Sequence, residues 1–140
     1  MHKKAFGYKN IVNTNKPMDY IYLEETISDL KARFKFIENI IIGESYLGKN
    51  INLIKIGSGP HKVIYIGSHH AMEWITSLIL MRFIEDFCKS YIFSERLYGY
   101  DPEYILHTRT FYIVPMLNPD GFGFILDKQK RNDYLPRKAR

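Results

Sequence analysis

The amino-acid sequence predicts an α/β fold, with a mixed, mostly central β-sheet flanked by helices. Three features carry that expectation: apolar spacing of helical period in two stretches, four short runs of strand character, and the order in which they alternate. Residues 1–17 read as an irregular, polar N-terminal arm closed by Pro17, and residues 18–140 as the domain proper. From Met18 the spacing Tyr22, Leu23, Ile27, Leu30, Phe34 is helical, with Asp19 as N-cap. "FIENIIIGES" reads as a strand ended by Gly43, and "YLGKN" as a turn. "INLIKIGSG" is a second strand, in which Ile51, Leu53 and Lys55 alternate with Asn52, Ile54 and Ile56. After the turn "GSGP", "KVIYIGS" is a continuous apolar run of the kind found in strands covered on both faces. Trp74, Leu78, Met81, Phe83 and Phe87 are spaced to cover a second helix, with Trp74 as a core anchor over the sheet. Arg82, Glu85, Asp86 and Lys89 supply that helix's wetter side. "ERLYGYDPEY" reads as a loop by its Gly and Pro, and "TFYIVPML" as a further strand. "NPDG" is the turn that stops it, with Asn118 and Asp120 bonding their own backbone.

Composition narrows the possible functions. At 140 residues the chain is one domain at most, long enough for a real core. Its hydrophobic fraction of 46% and its aromatic share of 15% argue against disorder over most of the length. The net charge is +5, and residues 127–140 carry six basic against two acidic side chains, or +4 of that total. A nucleic-acid binder would spread such charge over a folded face, so no nucleic-acid partner is expected. No window approaches the roughly 20 apolar residues of a membrane span, and "MHKKAFGYKN" lacks the apolar stretch of a signal peptide. The expectation is no membrane association and a cytoplasmic location. Cys88, the single cysteine, cannot form an internal disulfide and reads as a small core residue.

The chemistry concentrates where "KVIYIGS" ends. Binding sites in α/β sheets collect beyond the carboxyl ends of strands, and here that position holds His69 and His70, with Glu73 three residues after His70. A neutral imidazole and a carboxylate offset by three across a strand-to-helix turn can converge on one cation, and zinc accepts both at about 2.0–2.2 Å. The spacing is neither H-E-x-x-H, because Ala71 follows His70, nor the inverted H-x-x-E-H, because Trp74 follows Glu73. A bare H-x-x-E is a weak signal that also fits surface polar residues at a helix N-terminus.

"GSHHAMEWIT" and the later "VPMLNPDGFGF" together resemble the zinc carboxypeptidase family, and more closely its bacterial branch of γ-D-glutamyl-diaminopimelate peptidases. "IGESYLGKNINLIKIG" is similar to the strand, turn and strand before the family's zinc motif, and "YIYLEETISDLKARF" to its first helix. The resemblance covers about residues 20–140. It implies a zinc metallopeptidase, a carboxypeptidase that hydrolyses peptide bonds, with peptide substrates that include bacterial cell-wall stem peptides. It also implies Zn2+ as cofactor, held by two His and one Glu with a water in the open position, with His70 and Glu73 as the first two metal ligands and His69 their neighbour. The tail "KQKRNDYLPRKAR" resembles the stretch that carries an Arg polarising the substrate carbonyl, which makes Arg131 the substrate-binding candidate. Solvated tail charges are the alternative.

The resemblance also shows what to look for in vain. Met72 stands where the family usually has a basic or polar residue. The third ligand, a His, the general base, a Glu, and an Asn-Arg pair that captures a C-terminal carboxylate all belong to sequence beyond residue 140. His107 reads as a strand-edge histidine, and His2 and His61 lie in the arm and a turn. The chain is therefore expected to be the N-terminal half of the catalytic domain, truncated and inactive by itself. The competing readings are a non-catalytic remnant that binds a partner through an open sheet edge, and a weak metal-binding module built from His69, His70 and Glu73.

Overall fold

The computed structural model describes residues 9–121. Helix α1, Tyr20–Arg33, starts where Asp19 accepts the Tyr22 amide at 2.8 Å, and it buries Tyr22, Leu23, Thr26, Ile27 and Leu30 at helical spacing. Strands β1 (Glu38–Glu44) and β2 (Asn50–Ile56) form an antiparallel hairpin, and β1 continues past Gly43 through a register shift between Ile41 and Gly43. Strand β3 is His61–Ile66, so His61 opens a strand and does not lie in a turn. Helix α2 is Trp74–Ile92, helix α3 Pro102–Thr108 and strand β4 Arg109–Val114.

The sheet runs β1-β2-β4-β3, with β4 antiparallel to β2 and parallel to β3. The mixed α/β class that the sequence predicts is the class observed. A parallel pair cannot be joined by a tight turn, and here α2 and α3 make the crossover. Pairing places Ile54 beside Ile113 and Ile56 beside Phe111, and these four pack with α1 and α2 in one core that includes Leu23, Leu30, Met81 and Ile84. Trp74 is half-buried against that core, and Cys88 is wholly inside it, where burial pushes its thiol pKa up. Among the described residues, no helix is long and apolar enough to cross a membrane.

Three elements differ from the sequence reading. Strand β3 is not covered on both faces: it lies at the sheet edge, with Ile64 65% exposed and Tyr65 and Ile66 open as well. Continuous apolarity marks a strand that could be covered, and whether it is depends on its neighbours. The stretch read wholly as a loop, 95–104, ends in the first turn of α3. Its Asp-Pro is an N-cap followed by Pro at the first helical position, and Asp101 accepts the Glu103 amide at 3.0 Å.

The third difference is Glu85, placed on the wetter side of α2 by its charge but fully buried in the structure. Its Oε1 accepts the Ile11 amide at 2.8 Å and its Oε2 the Val12 amide at 2.9 Å. Lys89 Nζ lies 2.6 Å away and Arg33 Nη1 3.9 Å away. The arm, with Val12 in the core, is thus tied to both long helices through one carboxylate. Burial alone would raise the Glu85 pKa. The Lys89 hydrogen bond, the two amides and the Lys89 charge outweigh it and hold the pKa below the ordinary 4.5.

A carboxyl group with a lowered folded pKa binds fewer protons folded than unfolded, so its contribution is present above 4.5 and is lost as pH falls through the folded value. Glu85→Gln should therefore destabilise the fold at neutral pH by about 2–4 kcal/mol, from the unsatisfied partners it leaves. In urea melts, the gap between variant and wild type should shrink below pH 4.5; a gap constant down to pH 3 would contradict this account.

Candidate metal centre

Residues 67–73 connect β3 to α2. Gly67 extends the parallel pairing, donating to Val114 O at 2.9 Å and accepting from the Leu117 amide at 3.0 Å. A Cβ there would lie 2.6 Å from Pro115 O and 3.0 Å from Leu80 Cδ1, so only glycine lets the chain pass this close. Ser68 follows in the left-handed region, φ +46°, which is uncommon for a residue with a side chain.

Hydrogen bonds hold Ser68 there. Its amide donates to Thr76 Oγ1 at 2.7 Å. Ser77 Oγ donates to Pro115 O at 2.7 Å, which leaves the Ser68 hydroxyl as donor, shared between Ser77 Oγ at 2.6 Å and Glu73 O at 3.0 Å. Thr76 Oγ1 donates to the same Glu73 carbonyl at 2.7 Å. Ser68 and Ser77 are both buried, so the Glu73 backbone rests on a dry, satisfied network. Sequence reading missed these two serines, because a Ser beside a strand end carries no signal of a partner nine positions away.

Glu73 sits immediately before α2, where short Ser, Thr, Asp or Asn side chains usually cap, and its longer side chain makes no capping bond. It turns back instead. Its Oε2 accepts the His70 amide at 3.2 Å, and its Oε1 lies 2.7 Å from His70 Nδ1, the distance at which Nδ1–H donates to a carboxylate. The ring hydrogen bond, then the amide, hold the Glu73 pKa below its ordinary value, so the group carries a negative charge. The pair is open to solvent, with side-chain exposures of 82% for His70 and 42% for Glu73. An imidazole nitrogen and a carboxylate oxygen, accessible and directed at one another, are a donor set that suits zinc, with the ion replacing the shared proton.

The other sequence candidates fall elsewhere. The His69 carbonyl accepts from Asn118 Nδ2 at 3.4 Å, and its side chain is exposed. His107 lies in the last turn of α3, with Nδ1 2.8 Å from Glu103 O. It precedes β4, whereas His70 follows the parallel β3, so the length of a strand, about 20 Å, separates them. Among the described residues, no three His, Cys, Asp or Glu side chains gather as a metal-binding group. Met72 is 76% exposed beside the pair. Arg131 lies outside the described residues.

The chain resembles known proteins in sequence and in fold. Residues 23–140 match the family model described as zinc carboxypeptidase. The chain is 31% identical over 128 residues to γ-D-glutamyl-L-diamino acid endopeptidase 1 of Lysinibacillus sphaericus, covering 91% of this chain and 32% of that one. It is 32% identical over 102 residues to carboxypeptidase B of Astacus astacus, covering 71% and 30%. The fold superposes on the crystal structure of thrombin activatable fibrinolysis inhibitor with a TM-score of 0.73 at 20% identity, covering 87% and 31%. The chain thus spans about a third of the length of the relatives it matches. It belongs to the zinc carboxypeptidase family.

Proposed function

We propose that this chain supplies the first two zinc ligands, His70 and Glu73, of a metallopeptidase that hydrolyses peptide bonds. The observation that supports this is the 2.7 Å approach of His70 Nδ1 to Glu73 Oε1 at the mouth of the parallel strand pair. His70 presents the nitrogen nearer its backbone, and the His70 amide turns the carboxylate toward that nitrogen. Zinc, when bound, supplies Lewis-acid polarisation of the scissile carbonyl and a water acidic enough to attack near neutral pH. Arg131 is assigned the substrate carbonyl, on the resemblance of its surrounding stretch. A cell-wall stem peptide with a γ-D-glutamyl-diamino acid linkage is the favoured substrate, on the identity to the Lysinibacillus enzyme.

Catalytic zinc sites use three protein ligands, and the described residues bring two together. The 140-residue chain is accordingly proposed to bind zinc weakly. His70→Ala and Glu73→Gln should each weaken binding by more than the ~10-fold seen when an outer-shell partner is lost, and His107→Ala should leave it unchanged. Zinc titration by calorimetry measures this; a His70→Ala protein that titrates like wild type would remove the ligand assignment.

The isolated chain should also leave a γ-D-glutamyl-diamino acid peptide intact at saturating zinc. Chromatography of the peptide after prolonged incubation checks this. Cleavage that requires both zinc and His70 would mean that the chain carries a complete active site.

A further inference from the structure

The zinc ligands have little packing of their own. Both side chains are exposed, and the loop from His69 to Met72 lies outside the core. Among the described residues, the hydrogen bond that reaches residues 69–72 from a distant part of the chain comes from Asn118. We infer that the Asn118–Gly121 turn is the seat that positions the His70–Glu73 pair, an inference that rests on the ligand assignment above.

The chain from Leu117 into this turn grips the loop at three points. The Leu117 amide donates to Gly67 O at 3.0 Å, the Asn118 amide to Ser68 O at 3.0 Å, and Asn118 Nδ2 to His69 O at 3.4 Å. These bonds carry the β3–β4 pairing beyond the strand ends and onto the ligand loop itself. Asn118 Oδ1 accepts the Gly121 amide at 3.1 Å and so caps the helical turn that opens at Pro119, where the sequence reading placed a simple turn. Gly121 then lies directly against the loop: a Cβ there would sit 2.7 Å from Ala71 Cβ and 3.1 Å from Ala71 Cα. Ala71 lies between the two ligands in sequence, so anything that displaces it changes the spacing of His70 and Glu73.

The seat is itself anchored from behind. Asp120 Oδ1 accepts the Ser45 hydroxyl at 2.9 Å, and Oδ2 accepts the Leu47 amide at 3.1 Å. Lys49 Nζ lies 3.7 Å from Asp120 Oδ1 and donates to Pro119 O at 3.0 Å. These partners belong to the β1–β2 hairpin turn. Asp120 thus does not bond its own backbone, as its place in a turn suggested, but a turn more than seventy residues earlier. Asn118, Asp120 and Gly121 are positioning residues, acting on the metal through the loop.

The test uses the 140-residue chain with Co2+ as a spectroscopic stand-in for zinc, read by visible absorption and by chelator competition, with thermal melts alongside. Gly121→Ala should weaken Co2+ binding about 10–100-fold, as loss of an outer-shell partner does, and alter the visible band while the protein remains folded. Ala71→Gly combined with Gly121→Ala removes the colliding methyl and should restore most of the affinity, which a general loss of stability would not allow. Asp120→Asn should weaken binding in the same direction, and it stands in if Gly121→Ala fails to fold. Wild-type Co2+ affinity in both Gly121→Ala and Asp120→Asn, or no recovery in the double variant, would overturn the inference. If the wild-type chain binds no Co2+, the ligand assignment fails by itself. The seat is then judged in metal-free protein, by imidazole nitrogen NMR of the His70 Nδ1–H hydrogen bond. Loss of that bond in the single variants upholds the seat, and its retention refutes it.

Discussion

The parallel pairing of β3 with β4 is the constraint from which the rest of the molecule follows. Parallel neighbours need a long crossover, and α2 with α3 supplies it. The same register makes both strands end side by side, so the segment after β3 and the segment after β4 leave the sheet together. Their backbones stay hydrogen-bonded for two residues past the sheet, through Gly67 and Leu117 and then Ser68 and Asn118. One loop carries the imidazole and the carboxylate, and the other becomes the surface it rests on. A shift of one residue in that register would turn every side chain of β3 to the other face and separate the two loops.

Two carboxylates of the α2 region show how environment divides labour. Glu85 is buried, faces two backbone amides, a lysine and an arginine, and joins the N-terminal arm to two helices. Its hydrogen-bonding capacity is spent inside the protein, so it holds structure. Glu73 is exposed and has one imidazole and one amide as partners. It keeps capacity for a cation, and its side chain makes no capping bond to α2. Both have lowered pKa values, so a lowered pKa alone does not distinguish their roles.

Among the described residues, one sheet face carries no helix. Ile40 pairs with Leu53, and Ile64 with Tyr112, on the side opposite the helices, and Ile40, Ile64 and Ile66 are all exposed. All-parallel sheets are covered on both faces, whereas antiparallel pairing, as in β1–β2 and β2–β4, commonly leaves one face to solvent. Among the described residues, the helices pack on one face, and the strands carry exposed apolar side chains on the other.

Local features were legible in the order of residues: the period of α1 and α2, the Asp19 cap, the four strands, and the H-x-x-E spacing that sets His70 and Glu73 three positions apart. These depend on neighbours a few positions away, and such physics is written in order along the chain. The tertiary structure alone decided that β3 lies at an edge, that the charge of Glu85 goes inside, that Asp120 reaches a distant hairpin and that Gly121 presses on Ala71. Each of these depends on which strand lies beside which, and burial or partnership at long range is a property of that arrangement. A carboxylate looks the same in sequence whether it will meet water, an amide or a metal. Only the fold brings the partner.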